Sequence, residues 1–121
     1  MPKKILLVDD SKTMRDMERF TLQQAGYVVA EAGNSADALT LVETENFDLV
    51  ITDINMPGMN GIELVGELRK RPNCKAVPII VLSTESEAGL KNEARQAGAT
   101  GWIVKPFRPE ALVKVVRKVC L

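Results

Sequence analysis

The sequence predicts an α/β fold, a parallel sheet wrapped by helices on both faces. Three observations predict it. Five short apolar runs recur along the chain, a longer stretch with helical periodicity follows each, and three of the runs are nearly all apolar, as strands covered on both sides are. A chain of 121 residues suits one domain, residues 1–121, and can bury about two thirds of the surface its unfolded form exposes.

The predicted strands are KILLV at 4–8, YVVAE at 27–31, DLVIT at 48–52, PIIVL at 78–82 and GWIV at 101–104. In the first helix Met14, Met17 and Phe20 share a face, as an apolar stripe turned to a core does. Leu64 and Leu68 do the same in the third, and Leu112, Val115, Val116 and Val119 continue the period in the last. Gly26, Gly33 and Gly98 read as the ends of helical stretches, and Pro109 suits a first helical turn. The order is βα five times, with right-handed crossovers expected and no repeat, linker or low-complexity segment.

Composition removes several classes of chemistry. Sixteen basic residues balance sixteen acidic ones with no basic stripe, which argues against nucleic-acid binding. Histidine is absent, so Ser-His-Asp and Cys-His triads, His-ligated zinc and a phosphohistidine on this chain are excluded. Cys74 and Cys120 lie far apart without a CxxC pattern, as thiols of a reduced compartment do. No apolar run approaches a membrane span and MPKK leads straight into a strand, so a cytoplasmic location is expected.

Functional groups of open parallel sheets gather beyond the carboxyl ends of the strands. Here the first strand ends at Asp9 and Asp10, the third at Asp53, the fourth at Ser83 and Thr84, and the fifth at Lys105. Singly, each has an ordinary use: Asp10 and Ser11 as helix caps, Asp53 in a turn, Ser83 as a cap, Lys105 on the surface. Together they would face one small volume. Three crowded carboxylates need a cation, and oxygen ligands without His or Cys favour magnesium, or manganese in its place. Such a site leaves Asp53 free to attack phosphorus, with Lys105 and Ser83 neutralising the transferred oxygens.

VDD at 8–10, TDINMPGMNG at 52–61, PIIVLST at 78–84, AGATGW at 97–102 and KPF at 105–107 resemble the signatures of the receiver domain of two-component response regulators. The resemblance covers essentially the whole chain and is strongest to the stand-alone members that act in chemotaxis. It implies a doubly wound, flavodoxin-like (βα)5 sheet of strand order 2-1-3-4-5. It also implies Asp53 as phosphoacceptor, Asp9, Asp10, Asp53 and the Asn55 backbone carbonyl as magnesium ligands, and Lys105 as the phosphoryl's partner before a cis bond to Pro106. Ser83 is then the switch hydroxyl and Trp102 the aromatic switch residue. Asn55 and Glu85 stand at the positions that set the phosphoryl lifetime, and Met56, Pro57 and Gly61 shape the loop after the third strand.

Three positions depart from the commonest pattern: Trp102 is bulkier than the usual aromatic, Ser83 replaces a more frequent Thr, and Arg108 cannot cap the last helix as Ser or Asp would. The implied function is a monomeric signalling switch without substrate turnover of its own. It takes phosphate from a histidine kinase and reshapes a partner surface on the fourth helix, fifth strand and fifth helix. The partner is the flagellar motor switch if the role is chemotactic, and a phosphatase is a further candidate partner. The chain ends at Leu121 after the fifth helix, so no output domain is expected. The alternative is a receiver fragment of a larger regulator, a phosphorelay intermediate or a phosphate sink. A magnesium-dependent phosphohydrolase ranks lower, because DxDxT is absent, and a nucleotide or flavin module lower still, because neither GxxxxGK[ST] nor GxGxxG is present.

Overall fold

The computed structural model describes residues 2–84 and 88–120. Strands β1 (Lys4–Val8), β2 (Val28–Ala32), β3 (Leu49–Asp53), β4 (Ile79–Ser83) and β5 (Gly101–Val104) alternate with helices α1 (Lys12–Gln24), α2 (Ser35–Thr44), α3 (Gly61–Arg69), α4 (Ala88–Ala97) and α5 (Pro109–Val119). All strand pairs are parallel, in the order β2-β1-β3-β4-β5. Strand order therefore reverses between β1 and β3, whose carboxyl ends flank the switch point of the sheet.

Three strands start and end one residue later than the sequence pattern suggests. The Tyr27 N–H donates back to the Leu22 carbonyl, so Tyr27 completes the exit from α1 rather than joining the ladder. Asp48 receives the Lys4 N–H on its side chain, and Pro78 has no N–H to give. Gly33 follows β2 rather than a helix, whereas Gly26 and Gly98 follow α1 and α4 with positive φ.

Side-chain alternation divides the core into two layers. Leu6, Val8, Val50, Ile79 and Val81 pack against α2, α3 and α4 through Ala38, Val42, Leu64, Leu68 and Ala94. Ile5, Leu7, Leu49, Ile51, Ile80, Leu82 and Ile103 pack against Leu22 of α1 and Leu112 and Val116 of α5, beside buried Cys120.

The stripe of Met14, Met17 and Phe20 is not the buried face of α1. Met17 is 58% and Phe20 62% exposed, and the buried residues of the helix are Glu18 and Leu22. A step of three residues falls short of the helical repeat, so the stripe turns away from the sheet, while the four-residue steps from Met14 through Glu18 to Leu22 stay on it.

Arg69, the last residue of α3, ties two connections together. Its guanidinium donates to the carbonyls of Gly98 (2.8 and 3.0 Å), Cys74 (2.7 Å) and Val77 (2.6 Å). Gly98 has φ +117°, and a Cβ there would stand 2.8 Å from the Arg69 Cγ, so this close approach requires glycine. Removing the guanidinium strands carbonyls on the loops before β4 and β5. Arg69→Met should lower the free energy of unfolding by about 2–3 kcal/mol in urea titrations, with Arg69→Lys between it and the parent.

Candidate functional site

The alternation that divides the core also sorts the polar strand ends. Counting in steps of two from Ile5 and Leu7, from Leu49 and Ile51, and from Ile103 brings Asp9, Asp53 and Lys105 to the α1/α5 face of the sheet. The same counting from Ile79 and Val81 sends Ser83 to the opposite face. Trp102 joins it there, registered against Val81 on the neighbouring strand.

Asp9 is fully buried, Asp53 is buried, and Asp10 is exposed at the rim. Oxygens of the three carboxylates lie within 4.8 Å of one another. Lys105 Nζ stands 2.5 Å from Asp53 Oδ1 and 3.6 Å from Asp9 Oδ2. Local contacts fix these groups. The Ser11 N–H donates to Asp9 Oδ1 at 2.9 Å, while Ser11 itself caps α1 by accepting from the Met14 N–H. Arg15 Nη1 donates to the Asp9 carbonyl at 2.6 Å, and its Nε donates to Glu31. After Asp53 the chain turns back so closely that a Cβ on Gly61 would lie 2.0 Å from the Asp53 carbonyl oxygen, and the Gly61 N–H donates to Ile54. Asn60 and Glu63 then form a capping box that starts α3.

The donor set fits a small hard cation. Opposite ligands of magnesium stand about 4.2 Å apart, close to the spread of these oxygens, and Asp9 Oδ2 is buried without a hydrogen-bond partner. Burial pushes Asp53 up from 3.8 to about 6; the hydrogen bond from Lys105 opposes this and the charges of Asp9 and Asp10 add to it. Burial by itself would lower the Lys105 ammonium, but the hydrogen bond to Asp53 and the fields of Asp53, Asp9 and Glu18 outweigh it and raise its pKa.

Asn55 is exposed just beyond β3, Met56 is buried in the α2–α4 core layer, and the Lys105–Pro106 bond is cis. Ser83 is buried at 2% exposure. Trp102 is half-buried against the same core layer, its Nε1 shielded and without a hydrogen-bond partner. Arg108 precedes α5 with no side-chain cap, and Pro109 opens the helix. Glu85 lies outside the described residues.

Sequence reading missed Glu18. Facing the sheet from α1, it is 3% exposed, and neither carboxyl oxygen has a hydrogen-bond partner. The available signal was its four-residue spacing from Met14 and Leu22, which places a carboxyl in an otherwise apolar line. Burial raises its pKa from 4.5 to about 8; the negative charge of Asp9 adds to this and Lys105 opposes it.

A family model described as the response regulator receiver domain matches residues 5–117. The chemotaxis protein CheY of Thermotoga maritima is 42% identical over 121 residues, which cover 98% of this chain and 98% of that protein. The structure of the Vibrio cholerae chemotaxis protein CheY4 is similar with a TM-score of 0.96 at 44% identity, over 98% of this chain and 99% of the other. The receiver domain of the Pseudomonas aeruginosa sensor histidine kinase PA1611, crystallised with a magnesium ion coordinated in its active site cleft, is similar with a TM-score of 0.91 at 26% identity, over 99% of this chain and 98% of that one.

Because Glu18 keeps its proton in the fold to a higher pH than in the unfolded chain, its contribution to stability is complete below about pH 4.5 and is lost as pH rises through about 8. In urea titrations with a chelator present, stability of the parent should fall across this window. Glu18→Leu should remove about 3 kcal/mol of that fall and be the more stable protein at pH 8.

Proposed function

The chain belongs to the response regulator receiver family, and we propose that it works as a phosphorylation-activated switch with Asp53 as the phosphoacceptor. The observation that carries this reading is the meeting of Asp53 with Lys105 at 2.5 Å beside two further carboxylates at the switch point of the sheet. An Asp53 oxygen attacks the phosphorus of a kinase's phosphohistidine, the P–N bond breaks, and the imidazole leaves as the aspartyl phosphate forms. Asp9, Asp10, Asp53 and the Asn55 backbone carbonyl hold magnesium, or manganese in its place. When bound, the ion supplies positive charge for the phosphoryl oxygens. Lys105 transfers its hydrogen bond from the carboxylate to the phosphoryl group, keeping a positive partner through the reaction.

Activation is a population shift. The phosphoryl group draws the Ser83 hydroxyl toward it from the opposite face of the sheet, and Trp102, one strand away on that face, moves into the space released. Going from mostly inactive to mostly active takes about 5 kcal/mol of differential contact. The surface reshaped is that of α4, β5 and α5, where a downstream protein binds. A chemotactic role is supported by the likeness to chemotaxis proteins along nearly the full length of each, and would make the flagellar motor switch the target. The protein would act in the cytoplasm as a monomeric single domain without turnover of a separate substrate. Asn55 and Glu85 would set the phosphoryl lifetime, with a phosphatase as a further partner.

Acetyl phosphate with magnesium should add one phosphoryl mass to the parent and none to Asp53→Asn, and a chelator should prevent the addition. Under the same conditions the emission of Trp102 should change in the parent and stay unchanged in Ser83→Ala. Unaltered modification of Asp53→Asn would overturn the phosphoacceptor, while a mass change without any emission change would remove Trp102 from the switch.

A further inference from the structure

Asp9 is held through three of its groups. Its N–H donates to the Ala32 carbonyl at 3.1 Å, its Oδ1 accepts from the Ser11 N–H at 2.9 Å, and its carbonyl accepts from Arg15 Nη1 at 2.6 Å. The Asp10 carboxyl is not held in this way: it is exposed and takes no hydrogen bond or ion pair among the described residues. Its place therefore follows from the peptide that joins Asp9 to Asp10, and Arg15 is the side chain that grips that peptide. Arg15 lies one turn beyond the Ser11 cap, its N–H bonded to the Ser11 carbonyl at 2.9 Å. A helical side chain leans toward the N-terminus of its helix, so the guanidinium reaches back over the cap to the end of β1. Its other arm is anchored too: Nε donates to Glu31 of β2 at 3.1 Å, and the side chain is only 17% exposed.

Building on the metal reading given under the proposed function, we propose that Arg15 is a positioning residue of the acidic site. By fixing the Asp9–Asp10 peptide it keeps the Asp10 carboxylate near those of Asp9 and Asp53 before a cation arrives. What it spares is the ordering of an exposed carboxylate at the moment of binding, and groups that orient metal ligands commonly account for roughly tenfold or more in affinity. Arginine suits this role, because two arms of one planar guanidinium engage Asp9 and Glu31 together and fix the fork at both ends. Charge alone gives the opposite sign. A guanidinium beside a cation site repels the cation, so an Arg15 that acted only through its charge would weaken metal binding, and its removal would tighten it.

The test is manganese binding, read from the electron paramagnetic resonance signal of the free Mn(II) ion, in the parent and its variants. Arg15→Met should weaken binding about tenfold, and Arg15→Lys should recover part of the loss through a single donor to the Asp9 carbonyl. Glu31→Ala, which releases the other arm, should weaken binding in the parent and add nothing to Arg15→Met. Amide NMR spectra of metal-free Arg15→Met should differ from the parent only around residue 15, the turn after β1 and the end of β2. Unchanged or tighter binding in Arg15→Met, an Arg15→Lys no better than Arg15→Met, an additive effect of Glu31→Ala, or spectral changes spread through the chain would each overturn the proposal. A parent that binds no manganese would overturn the metal reading itself, and this proposal with it.

Discussion

The contact of Lys105 with Asp53 and Asp9 is what allows this sheet to end as it does. Parallel strands deliver their carboxyl ends to one rim, and here three carboxylates arrive within 4.8 Å of one another. Such a cluster repels itself, and burial makes the repulsion worse by weakening the screening of water. Burial first, and then the charges of Asp9 and Asp10, raise the pKa of Asp53, while the hydrogen bond to Asp53 and the fields of the carboxylates raise that of Lys105. An ammonium on a long side chain is well suited to this task, since it reaches Asp53 and Asp9 together and offsets their charge.

The two-residue period of the strands separates the charge chemistry from the groups that would report it. Asp9, Asp53 and Lys105 share the α1/α5 face, while Ser83 and Trp102 share the other, next to α4. A signal that begins on one face must cross the sheet to change the second. The crossing point lies at the ends of β3 and β4, where Asp53 pairs in register with Leu82 and Ser83 is the next residue. The same division explains Glu18. It comes from the helix that covers the charged face, so it meets Asp9 and Lys105 rather than the aliphatic layer around Ala94.

Most of this architecture was legible in the sequence because it depends on local chemistry. Apolar runs bounded by glycine and proline marked the five strands, and polar residues at their ends marked the rim. The one-residue displacement of β2, β3 and β4 was less legible, since the Tyr27 N–H and the Asp48 side chain are committed by contacts with Leu22 and Lys4 that no pattern announces. The buried face of α1 was misread for a different reason. Met14, Met17 and Phe20 form the more hydrophobic stripe, yet the line that faces the sheet carries Glu18. Hydrophobic patterning assumes that the apolar side is the inside, and it fails where a carboxyl is buried against charged neighbours. Arg69 was likewise silent, because its partners are backbone carbonyls brought together by two separate loops.

The central claim is that, of the acidic side chains clustered here, Asp53 alone receives the phosphoryl group. Borohydride reduces an acyl phosphate to an alcohol and so converts a phosphorylated aspartate to homoserine, which peptide mass spectrometry locates directly. After treatment with acetyl phosphate and magnesium, homoserine should appear at position 53 and at no other acidic residue. Reduction product at Asp9, Asp10 or Glu18, or an unmodified residue 53 in protein that carries the phosphoryl mass, would contradict the account.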